Sequence, residues 1–253
     1  MLLLIAELSF GANRVVRDVS YGADPQQRFD VYAPPHAHAA PVILMVHGGG
    51  WTRGDKAIAR MYENKVAHWL PKGFVFISAN YRLDVSAIEQ AKDISRALTV
   101  AQQRASEWGG DPKQFVLMGH SAGAHLVALV AVTNPRIIGT VVLDSGALDV
   151  VRIMESRHLP MYDRAFGSEP AEWRAASPYH VLAKKTAPML VVCSSRRLVS
   201  CTQARAFVNK LTKLGTRASV LEENLSHRQI NEGLGKPSAY TKAVDAFLQS
   251  LRP

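Results

Sequence analysis

Strand-like and helix-like segments alternate along most of this chain, which predicts an α/β fold with a mostly parallel central sheet covered by helices on both faces. Two observations carry the expectation. Apolar runs at residues 41–46, 74–79, 115–118, 139–144 and 188–193 have the length of buried strands. Segments 57–70, 86–108 and 202–214 between them carry apolar residues at helical spacing. The length of 253 residues, with 47% apolar and 20% charged residues, suits one domain spanning 1–253 with one large core.

Taken in order, residues 28–33 alternate and read as a half-exposed strand, and Pro34-Pro35 open a loop into the strand at 41–46. Pro71 stops the helix at 57–70, the strand at 74–79 follows, and 86–108 supplies a long helix. The strand at 115–118 and a helix at 126–132 flank a sharp turn. After the strand at 139–144, residues 145–179 contain no strong strand signal and read as a cap segment. Met154, Leu159, Met161, Tyr162, Phe166 and Trp173 give it enough apolar surface to cover a pocket, or simply to anchor it to the body. Strands at 188–193 and 218–221, with the helix at 202–214 between them, lead to a closing helix at 238–251. In open sheets of this kind ligands bind at the carboxyl ends of the strands.

The turn between 115–118 and 126–132 is Gly119-His120-Ser121-Ala122-Gly123. Glycine, any residue, serine, any residue, glycine is a weak pattern alone. Between a strand and a helix it describes a nucleophile elbow, a tight turn in which a Cβ on either glycine would press on its neighbours and which lifts the serine Oγ above the sheet. A second motif, His47-Gly48-Gly49-Gly50-Trp51, follows the strand at 41–46. Its glycines leave N–H groups unobstructed, as acyl transfer requires: each donor aimed at the tetrahedral oxyanion contributes roughly 3–4 kcal/mol. Gly49, Gly50 and Ala122 are the candidate donors. A phosphate-binding loop is disfavoured, because the Lys and Ser/Thr that would close it are missing after Gly50.

With these motifs in this order, the chain resembles the α/β-hydrolase superfamily, and within it the esterases carrying a His-Gly-Gly-Gly motif, of the hormone-sensitive-lipase-like and arylformamidase-like kinds. Asn80-Tyr81-Arg82-Leu83 and Gly110-Asp111-Pro112 support the resemblance, which runs from about residue 15 to 251. It implies the α/β-hydrolase fold and ester hydrolysis by a serine nucleophile, Ser121, without a cofactor.

A serine hydroxyl needs a base in contact, and in that fold the histidine follows the last strand. Among nine histidines, His227 lies there; His120 is expected to pack within the elbow. The acid is the departure. Its usual loop, after the strand at 188–193, reads Ser194-Ser195-Arg196-Arg197-Leu198-Val199-Ser200 and holds no carboxylate. Asp144, ending the strand after the nucleophile strand, is the preferred substitute, as in the pancreatic-lipase arrangement, with loop capping as its other reading. Asp149, Glu222 and Glu223 are weaker candidates. Asp introduced at Leu198 or Val199 would test whether the usual position is vacant but competent.

The expected function is hydrolysis of carboxylic esters with short to medium acyl chains. Trp51 is the candidate substrate-binding residue, and an aromatic pocket there would fit an arylformamidase-like amidase instead. A binding protein on a hydrolase scaffold is the reading that the missing aspartate favours. The net charge of +9 is dispersed over 30 Lys and Arg, so no nucleic-acid partner is expected, although anionic substrates would be captured faster. No segment is long and apolar enough to span a bilayer, and a soluble protein is expected. Residues 1–6 are apolar but too short, and without a basic start, for a leader; an export signal would already have been removed. Cys193 and Cys201 could bridge, which would favour an exported protein over a cytoplasmic one, or pack as thiols. No metal set is evident. Oligomeric state is not legible.

Overall fold

The computed structural model describes residues 13–134 and 136–252; the stretch considered above as a leader, residues 1–6, lies outside them. Eight strands form one sheet in the order β1-β2-β4-β3-β5-β6-β7-β8. They are β1 Arg14–Ser20, β2 Arg28–Ala33, β3 Ala40–Val46, β4 Val75–Ala79, β5 Gly110–His120, β6 Gly139–Leu143, β7 Met189–Ser194 and β8 Ala218–Glu223. β1 and β2 pair antiparallel with each other, as do β2 and β4, and every later pair is parallel. The edge strand β1 and its pairing with β2 went unread in the sequence. β2 is not half-exposed: flanked on both sides, it is buried at every position from Phe29 to Ala33.

The parallel strands are apolar on both faces because both are covered. Val42, Leu44 and Val46 of β3 pack to one side with α2 (Ala87–Arg104), α3 (Ala122–Thr133) and α8 (Leu198–Lys213). Ile43 and Met45 turn to the other, with α1 (Ala59–Trp69), α9 (His227–Gly233) and α10 (Ala239–Gln249). The long helix expected at 86–108 ends at Arg104, and a 3₁₀ turn at Ala105–Trp108 completes it before Gly109 turns with φ 77°. α8 begins at Leu198, four residues earlier than its periodicity suggests. The segment at 145–179 contains three short helices, α4 (Val150–Met154), α5 (Pro160–Phe166) and α6 (Pro170–Ala176), and the start of a fourth, α7 (Pro178–Val181).

Strand order reverses between β3 and β5, which are neighbours with β4 beyond one and β6 beyond the other. A crevice opens above such a switch point. The glycine loop leaves β3 there and Ser121 leaves β5 there, so topology alone brings residues 48–50 against 121.

Candidate active site

Ser121 sits at φ 57°, ψ −118°, between β5 and α3. A non-glycine residue in that region is strained, and the strain is held by its surroundings. A Cβ on Gly119 would lie 2.3 Å from the Gly123 carbonyl oxygen, and one on Gly123 would lie 2.3 Å from that of Val46. Both glycines are therefore required by backbone contact, as the elbow reading anticipated. Gly48 is also crowded, though less tightly, since a Cβ there would fall 2.8 Å from the His120 carbonyl oxygen and 2.9 Å from Ser121 Cβ. The N–H groups of Gly49 and Gly50 make no hydrogen bond among the described residues. Ala122, the first residue of α3, offers another N–H that the helix leaves unpaired.

His227 is the first residue of α9, whose N-cap Ser226 and Gln229 form a reciprocal capping box. Its Nε2 lies 2.9 Å from Ser121 Oγ and its Nδ1 lies 2.6 Å from Asp144 Oδ2. Asp144 directly follows β6, with φ 55° and no exposed surface. Its Oδ1 accepts the Ser194 N–H at 2.8 Å and the Ser200 hydroxyl at 2.5 Å. Its Oδ2 is also 2.6 Å from Arg197 Nη1, which lies 2.8 Å from His227 Nδ1. Burial by itself disfavours the charged carboxylate; the hydrogen bonds from His227, Ser200 and the Ser194 N–H, with the Arg197 charge, outweigh it and hold Asp144 well below the usual carboxylate range.

A base must present a lone pair to the serine, so Nδ1 must carry the proton and donate it to Asp144. In that tautomer Nδ1 cannot accept from Arg197, and the guanidinium and the imidazole N–H donate to one oxygen, Oδ2. The loop at 194–200 is thus not vacant. It supplies Ser194, Arg197 and Ser200, the donors that hold an acid arriving from the neighbouring strand. The Cys193–Cys201 disulfide, the bridged alternative of the sequence reading, closes the segment that contains all three. None of these three holders was identified from sequence, although a run of two serines and two arginines where a carboxylate is expected is rich in donors. Of the weaker acid candidates, Asp149 caps α4 and Glu222 pairs with Arg205; neither they nor Glu223 hydrogen-bond His227 among the described residues.

His120 packs against His227 with ring centroids 4.5 Å apart, and its Nε2–H donates to the His227 carbonyl at 2.9 Å. Burial, then the neighbouring imidazole, pushes His120 down to about 3, so it stays neutral. His47 stacks on Tyr81 and donates from Nδ1 to the Gly48 carbonyl at 2.8 Å, shaping the glycine loop. Trp51 is placed differently from expectation. It does not line the cleft above Ser121: it is buried, donates to His125 Nδ1 at 3.2 Å and packs on Phe166. It anchors the glycine loop to α3 and α5.

That cleft has a volume of about 840 Å³. Gly50 and Met161 line it beside Ser121 and His227. Four arginines scattered through the sequence, Arg53, Arg60, Arg197 and Arg228, line it with one carboxylate, Glu232. No cluster of three or more potential metal ligands occurs among the described residues, and none of their helices is long and apolar enough to cross a membrane.

A serine on a strained strand-to-helix turn, a histidine after the last strand and a buried carboxylate, assembled over a doubly wound sheet, define an α/β-hydrolase. The model of the BD-FAE family matches residues 29–211, and the chain belongs to that family. It is 28% identical to the probable carboxylic ester hydrolase LipM of Mycobacterium tuberculosis over 91% of this chain and 60% of that protein. Identity to esterase LipC of the same organism is also 28%, over 77% of this chain and 54% of that one. The chain thus spans little more than half the length of these two relatives. Among solved structures, Thermogutta terrifontis esterase 2 superposes with a TM-score of 0.76 at 23% identity, covering 99% of this chain and 98% of that one. Lactobacillus rhamnosis esterase B does so with 0.77 at 19% identity, covering 94% and 85%.

Proposed function

We propose that this protein hydrolyses carboxylic esters of short to medium acyl chains through an acyl-enzyme on Ser121. The hydrogen-bonded chain from Ser121 Oγ through His227 to Asp144 carries the reading. Ser121 attacks the ester carbonyl while His227 Nε2 takes its proton, and the N–H groups of Gly49, Gly50 and Ala122 receive the oxyanion. His227 then protonates the leaving alkoxide. A water activated by the same imidazole releases the acid. Asp144 fixes the tautomer and stabilises the imidazolium, and segment 145–179 acts as the cap through Met161. The relatives named as esterases support this reading.

The competing readings are weaker. An arylformamidase-like amidase would use the same serine, histidine and oxyanion donors, but the aromatic wall it would take from Trp51 is buried and does not line the cleft. The binding-protein reading rested on a missing acid, and Asp144 meets His227. The test is steady-state hydrolysis of p-nitrophenyl acetate and octanoate by the wild type beside Ser121→Ala, with fluorophosphonate labelling of both. Turnover and labelling that vanish in Ser121→Ala are expected; equal rates for the two proteins would refute the proposal.

A further inference from the structure

A second cavity, of about 730 Å³, adjoins the cleft. Arg197 lines both, and α5 divides them, with Met161 on the Ser121 side and Tyr162 on the other. Its composition is unusual for protein surface. Among the described residues four large apolar side chains are exposed, and three of them, Leu159 (61%), Leu198 (77%) and Val199 (52%), line this one cavity. The fourth, Val15, is elsewhere. Apolar side chains scattered singly over a surface need no explanation, but their concentration in a concavity does.

The rim has one sign of charge. Arg152 and Arg157 stand there with Arg197, no carboxylate lines the cavity among the described residues, and Asp163 pairs with the lining His158 at 2.9 Å. Neither Arg152 nor Arg157 has a carboxylate partner among the described residues, whereas Arg228 beside Ser121 is held by Glu232 at 2.8 Å. Arg197 commits Nη1 to Asp144 and, among the described residues, makes no hydrogen bond through Nε or Nη2. Apolar walls under unpaired guanidiniums suit a chain that is apolar along its length and anionic at its end.

We propose that this cavity binds the distal part of the substrate's acyl group, and that the preferred substrates are esters of an apolar acyl chain terminating in an anion such as a carboxylate. The assignment rests on the ester-hydrolase reading above. The scissile carbonyl sits at Ser121, the acyl chain passes between Arg197 and α5 onto Leu159, Leu198 and Val199, and its anionic end meets Arg152 and Arg157. A neutral chain of equal length gains the apolar contact without the ion pair.

Two substrates that share a ten-carbon acyl chain separate these contributions: p-nitrophenyl decanoate and the mono-p-nitrophenyl ester of decanedioic acid. The wild type is expected to favour the anionic ester by about tenfold in kcat/KM, the effect of one well-formed charge pair. The variant Arg152→Glu/Arg157→Glu should lose that preference, and Leu159→Asp should lower kcat/KM for both ten-carbon esters. Both variants should cleave p-nitrophenyl acetate at the wild-type rate, which verifies folding. A preference that is absent, or that survives Arg152→Glu/Arg157→Glu, overturns the assignment. So does an absent preference with binding to anionic phospholipid vesicles that Arg152→Glu/Arg157→Glu removes, which would make the patch a lipid-facing surface. Should no ester be cleaved, the hydrolase reading fails by itself, and calorimetry of decanoate with Ser121→Ala still decides the cavity: binding that Arg152→Glu/Arg157→Glu removes supports it, and no binding overturns it.

Discussion

The two halves of the site are built by different means. Around β3 and β5, backbone meets backbone: Gly48, Gly119 and Gly123 are glycines because a Cβ at each would collide with a neighbouring main-chain or elbow atom. Around β6 and β7, side chains meet across the fold, with Asp144 held by Ser194, Arg197 and Ser200 from a loop some fifty residues on. Contacts of the first kind admit one residue type. Contacts of the second kind admit many solutions, so an acid can migrate from one strand end to the next provided donors migrate with it.

The sharpest test of the acid half is Asp144→Asn, which should reduce kcat by about 10³–10⁴-fold, since the amide cannot fix the productive tautomer or balance the imidazolium. Near-normal turnover would break the assignment and return the acid role to another group. For the backbone half, Gly123→Ala forces a methyl against the Val46 and His47 carbonyls. Activity should fall by about 10²-fold or more, with a loss of several degrees in Tm. A variant that keeps full activity and stability would show that the elbow is not backbone-limited.

Smaller effects grade the supporting loop. Arg197→Met should lower kcat on p-nitrophenyl acetate by about tenfold with little change in KM, because it releases Asp144 Oδ2 without touching a small neutral ester; Arg197→Lys should recover part of the loss. A change confined to KM would mean that Arg197 holds substrate and not the acid. Replacing both cysteines, Cys193→Ala/Cys201→Ala, should cost about 2–3 kcal/mol for so short a loop, measured by urea unfolding. It should also lower kcat a few-fold by loosening the three holders of Asp144. Unchanged kcat would show that the donors hold their geometry unaided.

The helix carrying His227 offers a test that leaves the reacting groups untouched. Lys65, wholly buried, hydrogen-bonds the Asn231 carbonyl of α9 at 2.7 Å, and burial, only partly offset by Glu232, pushes its amine down to about 7. The unfolded chain binds this proton up to about pH 10.4, so the folded state is penalised below pH 7 and relieved as pH rises between the two values. Wild-type stability should therefore rise from pH 7 to pH 10 relative to Lys65→Met, followed by urea midpoint. Parallel curves would show that the amine is not depressed.

Where a local rule operates, the chain is legible in one dimension. Apolar runs at strand length gave the parallel core, glycines marked the elbow and the loop after β3, and His227 was found by its place after the last strand. β2 was misjudged as half-exposed because alternation within six residues does not say how many neighbours a strand will have. Trp51 was misplaced for a similar reason. Beside a glycine loop it suggested a pocket wall, but its partners, His125 and Phe166, belong to segments 74 and 115 residues away.

The fold class and the candidate nucleophile and base were readable along the chain, because backbone sterics and hydrophobic periodicity act over a few residues and leave few alternatives. Folding in three dimensions set which carboxylate meets His227, the bridge between Cys193 and Cys201, and the assembly of arginines around Ser121. Each depends on which side chains converge from distant strand ends, and charge, hydrogen bonding and disulfide geometry are set by distance in space, which spacing along the chain does not encode.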